Sequence, residues 1–251
     1  MKLKGNMTNY SMALFVVFVW SVTFISTKVL LRWLLPTEIL IYRYVAAYLL
    51  FFAASPKIIR PLDLKDEISF FFAGFLGVTL YFLCENFALS YSQASNVAML
   101  VNVAPMLTGL LAHFLTKGER ITRRFVLGCA FGLAGVFLLV FNGQFVLKLN
   151  PLGDLLTICA ALTFAIYSII IKNIDSSKYS AFVITRKSFF YALLTLAPLC
   201  FTPLCKFDLR PLARFDVAAN LLFLAVFASA GCFLLWNKVI WALGAARANS
   251  L

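Results

Sequence analysis

The chain has 251 residues, of which 63% are hydrophobic and only 13% charged, with a formal net charge of +12. A soluble domain carries roughly 25% charged residues to clothe itself against water, and a mean hydropathy of +0.93 is far from that balance. The composition excludes a cytosolic enzyme, a nucleic-acid binder and a secreted disulfide scaffold, and it places the chain in a bilayer.

A run of about 20 apolar residues crosses ~30 Å of hydrocarbon as a helix. In chain order the sequence predicts eight such runs: 12–31, 38–54, 68–90, 94–116, 122–142, 152–172, 181–203 and 219–243. Lipid offers the backbone no hydrogen bonds, and the alternation of a β-barrel is missing, so the predicted fold class is an all-α polytopic membrane protein. The first run is too long for a signal-peptide core and is followed by further spans.

Threading the spans with the N-terminus on the cytoplasmic side brings Lys2, Lys4, Lys57, Arg60, Lys65, Lys117, Arg120, Arg123, Arg124, Lys172, Lys178 and Arg247 to that side. The opposite side receives half as many: Lys28, Arg32, Lys148, Lys206, Arg210 and Arg214. Positive charge accumulates on cytoplasmic loops, which favours this orientation. The six cysteines, Cys84, Cys129, Cys159, Cys200, Cys205 and Cys232, stand singly in apolar surroundings without metal-ligand spacing, and the one histidine is His113. They read as packing residues, and no cofactor is expected.

The halves of the chain repeat. Thr23 and Phe24 match Thr163 and Phe164; Ile41, Arg43 and Tyr48 match Ile184, Arg186 and Tyr191; Leu83 and Ala94 match Leu235 and Ala246. The first copy, residues 1–145, holds five spans, so the second copy, residues 146–251, starts from the opposite side, as inverted repeats of secondary transporters do. In this register residues 100–142 have no counterpart after Leu251. The expectation is a ten-helix plan with about eight helices and the start of a ninth present, and a chain truncated at its C-terminus.

The motifs that follow carry a resemblance. They are Trp20-Ser21-x-Thr23-Phe24 with Lys28, then Arg43, then Glu85-Asn86-Phe87-Ala88-Leu89 with Gln93-Ala94-Ser95. Next come Asn102-x-x-Pro105 and Gly118-Glu119-Arg120, and in the second half Trp236-Asn237-Lys238 and Leu243-Gly244-Ala245-Ala246-Arg247-Ala248. Together they resemble the EamA-type permeases of the drug/metabolite transporter superfamily, over nearly the whole chain. The resemblance implies two five-helix repeats in the bacterial cytoplasmic membrane. It also implies export of amino acids, related metabolites or toxic compounds, driven by proton antiport or running downhill.

Polar residues within the spans mark the candidate site, because a charge in hydrocarbon costs at least ~2.5–3.5 kcal/mol. Lys28, Arg43 and Glu85 fall at similar depth, and Arg186, Asn237 and Lys238 form the layer near the other face. Two readings stand for them: coupling or gate groups, or snorkelling cations and ties between helices. Glu85, the one acid well inside a span, is the candidate proton-coupled carboxylate. Stripes at spacing three and four place Trp20, Thr23, Thr27, Tyr81, Asn102, Met106, Thr163, Tyr167 and Trp236 as candidate cavity residues for a small amphipathic ligand, or as packing faces. Pro105 breaks its span or kinks it, and Gly128-x-x-x-Gly132 with Gly135 is a packing or dimer-forming face.

Three functions compete on this reading. A secondary transporter of a small molecule, working by alternating access, has the repeat and the motifs in its favour; no phosphate-binding Gly-x-x-x-x-Gly-Lys loop is present. A partner-requiring or inactive fragment, completed by a homodimer or a C-terminal polypeptide, follows from the missing end. A membrane-embedded enzyme would need a clustered acid/base or metal constellation, and ten scattered acids with one histidine do not supply one. The expected partners are the lipid bilayer and a small-molecule substrate, with no nucleic acid.

Overall fold

The computed structural model describes residues 2–57, 59, 63–116, 119–140 and 150–251. Arg60, Lys117, Gly118, Lys148 and the end of the fifth predicted span lie outside the described residues. The elements are all helical: α1 (Lys2–Leu30), α2 (Pro36–Ala54), α3 (Leu64–Tyr91), α4 (Ala94–Leu115), α5 (Arg123–Val140), α6 (Pro151–Asn173), α7 (Ala181–Phe201), α8 (Phe215–Leu243) and the short α9 (Ala245–Asn249). Seven described helices, α1 to α4 and α6 to α8, are long and apolar enough to cross a membrane. The chain is therefore an all-α polytopic membrane protein. α5 forms where the fifth span was expected, and α9 where the ninth should start.

Local chemistry sets the ends of these helices. Asp63, Asn150 and Ser180 cap α3, α6 and α7 by accepting from the backbone N–H of Lys65, Gly153 and Val183. Pro36 and Pro151 open α2 and α6, where the missing N–H costs nothing. Within α4, Pro105 interrupts the helix over Asn102 and Val103, splitting it into Ala94–Val101 and Ala104–Leu115. Gly244, at φ +94°, separates α8 from α9 in a conformation that suits only glycine well.

Two helices occupy the centre. α3 packs against α6 and α7, and α8 packs against α1 and α2. Each therefore lies against the first and second helices of the opposite half. Both carry a π-helical stretch, Phe75–Leu80 in α3 and Phe223–Gly231 in α8. Such stretches widen a helix, shift its register and recur at functional sites. In α3 the widening comes with close approaches: a Cβ on Gly77 would stand 2.1 Å from the Tyr167 ring, and one on Gly74 would stand 2.3 Å from the Ser188 carbonyl oxygen. Thr79 Oγ1, within the π stretch, donates to the Ala192 carbonyl of α7 at 3.1 Å.

The core is aromatic, with Tyr44, Phe70, Phe82, Tyr167, Phe189 and Phe233 buried. Outside, Phe18, Phe114 and Phe131 stay exposed, which lipid tolerates and water would not. α5 stands at the edge of the bundle, and Gly128, Gly132 and Gly135 have open space where a Cβ would go.

Candidate functional site

A cavity of about 290 Å³ lies where the two halves meet. α1 supplies Val17, Trp20, Ser21, Thr23 and Phe24; α3 supplies Tyr81, Phe82 and Glu85. The broken stretch of α4 adds Ala98, Val101, Asn102, Ala104 and Pro105. Phe164 of α6, Phe233 and Trp236 of α8, and Asn249 with Leu251 complete the lining.

The aromatic walls hold one another in place. Trp20 meets Phe164 and Phe233 at centroid separations of 5.7 Å each and Trp236 at 5.1 Å. Tyr81 packs on Phe164 at 5.2 Å. The Trp20 indole N–H donates to the Ala228 carbonyl at 3.0 Å, within the π stretch of α8, which fixes the ring. The Trp236 indole N–H is buried with no partner among the described residues.

Glu85 is the one charged side chain on the cavity wall among the described residues. It is 2% exposed, and its Oε1 finds no hydrogen-bond partner. The Tyr81 hydroxyl and the Arg43 guanidinium lie within electrostatic reach of it. Arg43 is itself 1% exposed and does not reach the cavity. Its Nε donates to Ser229 Oγ of the π stretch in α8, and its guanidinium sits 4.2 Å from the centre of the Phe82 ring. Both terminal nitrogens of Arg43 are unpartnered. An acid and a guanidinium are thus held close without a direct ion pair, an arrangement that costs several kcal/mol unless a ligand, a proton or water completes it.

Lys28 does not meet Glu85. Its ammonium donates to the carbonyls of Leu89 and Ser92 (2.7 Å for Ser92), capping the C-terminal end of α3, where the helix dipole favours a cation. Arg186 caps α2 in the same way, with Nη1 2.6 Å from the Ser55 carbonyl. Lys187 pairs with Glu67, which also accepts from the Tyr191 hydroxyl, tying α7 to α3.

Asn237 accepts from the Tyr167 hydroxyl at 2.6 Å and donates to Thr185 Oγ1 at 2.9 Å, joining α8 to α6 and α7. Lys238 is exposed on the outer surface of α8. Of the expected cavity residues, Trp20, Thr23, Tyr81, Asn102 and Trp236 line the space together. Thr27, Met106, Thr163 and Tyr167 do not line it.

Sequence reasoning passed over Phe82, Phe164, Phe233 and Asn249. Phe82 precedes Glu85 by three and Phe233 precedes Trp236 by three, so helical spacing places both on the right faces; nothing distinguishes them from the many other phenylalanines. Asn249 comes to the site by tertiary contact: its amide nitrogen donates to Thr108 Oγ1 at 2.6 Å and Ser168 Oγ at 3.0 Å, and its Oδ1 is unpartnered. Glu119 also has a clear place, accepting from the Ala245 and Ala246 N–H groups at 2.8 Å each and so capping α9. Among the described residues no cluster of three His, Cys, Asp or Glu side chains could hold a metal ion.

The sequence matches the EamA-like transporter family over residues 7–141 and 151–251. An uncharacterized transporter of Archaeoglobus fulgidus is 26% identical over 223 residues, covering 87% of this chain and 75% of the relative. A probable amino-acid metabolite efflux pump of Escherichia coli is 32% identical over 170 residues, covering 66% and 54%. The uncharacterized Bacillus subtilis transporter YyaM is 24% identical, covering 74% of this chain and 61% of its own length. The chain thus spans little more than half the length of some of these relatives. A solved crystal structure superposes with a TM-score of 0.72 at 16% identity, covering 97% of this chain and 85% of that one, a likeness of fold.

Proposed function

The chain belongs to the EamA-like transporter family, and from that premise we propose that it is a secondary transporter moving a small metabolite, amino acid or drug by alternating access. The observation that carries the reading is the cavity between the halves, with Glu85 on its wall and Arg43 behind Phe82. A pathway in a membrane is marked by a buried ionisable group facing an internal space. The reciprocal packing of α3 on α6 and α7, and of α8 on α1 and α2, supports an inverted repeat of residues 1–145 and 146–251. The matching π stretches in both central helices support it too.

In this mechanism Glu85 exchanges a proton for the substrate. With the proton gone, the carboxylate is balanced by Arg43 and contacts the ligand; with the proton on, the ligand leaves. Lys28 and Arg186 cap helix ends at opposite faces of the bundle, where the two gates would bend. The N-terminus faces the cytoplasm, on the charge balance of the loops.

The test is reconstitution in liposomes with a pH gradient, using radiolabelled amino acids and phenethylamine as probes. Wild type accumulates a probe against its gradient. Glu85→Gln loses that accumulation and keeps exchange of probe for probe. Unchanged gradient-driven accumulation in Glu85→Gln refutes the coupling role.

A further inference from the structure

The polar atoms that the cavity leaves free are mostly acceptors. Glu85 Oε1 is one, and Asn249 Oδ1 is another, its amide nitrogen being spent on Thr108 and Ser168. Among the described residues the nearby cations do not reach the wall: Lys28 is held on the α3 carbonyls, Arg43 sits behind Phe82 with only its Nε bonded, to Ser229, and Lys238 lies on the outer surface. The walls are faces and edges of Trp20, Tyr81, Phe164 and Trp236, and the Trp20 N–H is already used by Ala228. Tryptophan and tyrosine faces attract a cation through the ring quadrupole, more strongly when it is desolvated. Among the described residues on the cavity wall, the Trp236 N–H is the buried donor left over, and it suits a neutral oxygen on the same ligand.

We infer that this cavity takes an organic ammonium ion: a small amine with an apolar or aromatic body and no carboxylate of its own. Glu85 and Asn249 accept its N–H groups, and the Trp20–Trp236 corner covers its charge. This substrate class rests on the transporter reading above. Among the described residues the wall offers an anion, or the carboxylate of a zwitterion, no cationic side chain.

Two tryptophans on the wall make intrinsic fluorescence a direct probe of occupancy. The full chain in lipid nanodiscs is titrated with four ligands of similar size: phenethylamine, 3-phenylpropanol, 3-phenylpropionate and phenylalanine. Phenethylamine is expected to saturate the signal at least ten-fold more tightly than the other three. Glu85→Gln should bring it level with 3-phenylpropanol.

Equal or tighter binding of the propionate, the alcohol or phenylalanine overturns the assignment, as does the absence of saturable amine binding. The wild-type comparison stands on its own if Glu85→Gln does not fold. Probe exchange in liposomes separates the two conclusions. Discrimination among ligands without any transport sinks the transporter reading and leaves the ammonium site. Transport of other solutes without discrimination sinks the ammonium site alone.

Discussion

Asn237 offers a quantitative test of how α8 is held. The side chain is fully buried and ties three helices through the Tyr167 hydroxyl at 2.6 Å and Thr185 Oγ1 at 2.9 Å. Replacing it with leucine keeps the branched shape and removes both bonds. Hydrogen bonds between helices in membranes are worth about 0.6 kcal/mol on average and ~1.7 at most. Thr185 retains its bond to the Ala181 carbonyl at 2.7 Å, so it is not stranded. The Tyr167 hydroxyl is stranded in a fully buried position, which adds about 1–3 kcal/mol.

Asn237→Leu should therefore cost about 2–4 kcal/mol, and Tyr167→Phe, which strands the buried Asn237 Oδ1, about 1–3 kcal/mol. In the double variant no hydroxyl is left to strand, so its loss should fall short of the sum by about 1 kcal/mol or more. Unfolding by sodium dodecyl sulfate titration, followed by circular dichroism, measures all three against wild type. Losses that add to within about 0.3 kcal/mol refute the direct bond and the reasoning built on it.

Three other outcomes follow from the packing and the loops. Gly74→Ala pushes a Cβ to 2.3 Å from the Ser188 oxygen and should cost about 1–3 kcal/mol, whereas Gly132→Ala meets open space and should be neutral or gain up to about 1 kcal/mol; the same denaturation assay ranks them. Glu119→Ala frees the Ala245 and Ala246 amides, and their hydrogen exchange should quicken about ten-fold, with Glu119→Gln in between; equal exchange in all three rejects the cap. Burial, together with its hydrogen bond to Asp66, pushes the Tyr179 phenol up from 10 to about 12. The protonated form is favoured in the fold, so this contribution is full below pH 10 and is lost as the pH rises through 12. The difference between the ultraviolet titrations of wild type and Tyr179→Phe should show a tyrosinate step near pH 12; a difference step near pH 10 contradicts it.

Much of the architecture was legible because the bilayer turns local composition into structure. A window of apolar residues long enough to cross lipid has one backbone option, so the spans could be placed from hydropathy alone. A defect in α4 was legible too, since Pro105 removes its hydrogen bond wherever it sits, but the choice of a break over a kink was not. Trp20, Thr23, Tyr81, Glu85, Asn102 and Trp236, singled out in the chain as polar or aromatic groups within the spans, line one cavity. Lys28 shows the limit: the carbonyls at the end of α3 that it caps are invisible to side-chain pairing rules.

What the sequence determined by itself is thus the membrane and the helices that cross it. Tertiary structure alone decided the partners: Arg43 reaches Ser229 across 186 positions, Trp20 reaches Ala228 across 208, and Tyr167 fills the space over Gly77. The physical reason is that hydropathy constrains how a helix sits along the membrane normal but only loosely how it rotates. Rotation is set by neighbours distant in the chain and by the π stretches of α3 and α8, which shift the register just before Glu85 and Asn237. The same rotation leaves Glu85 with a free oxygen on the cavity wall and sends Asn237 into a closed network.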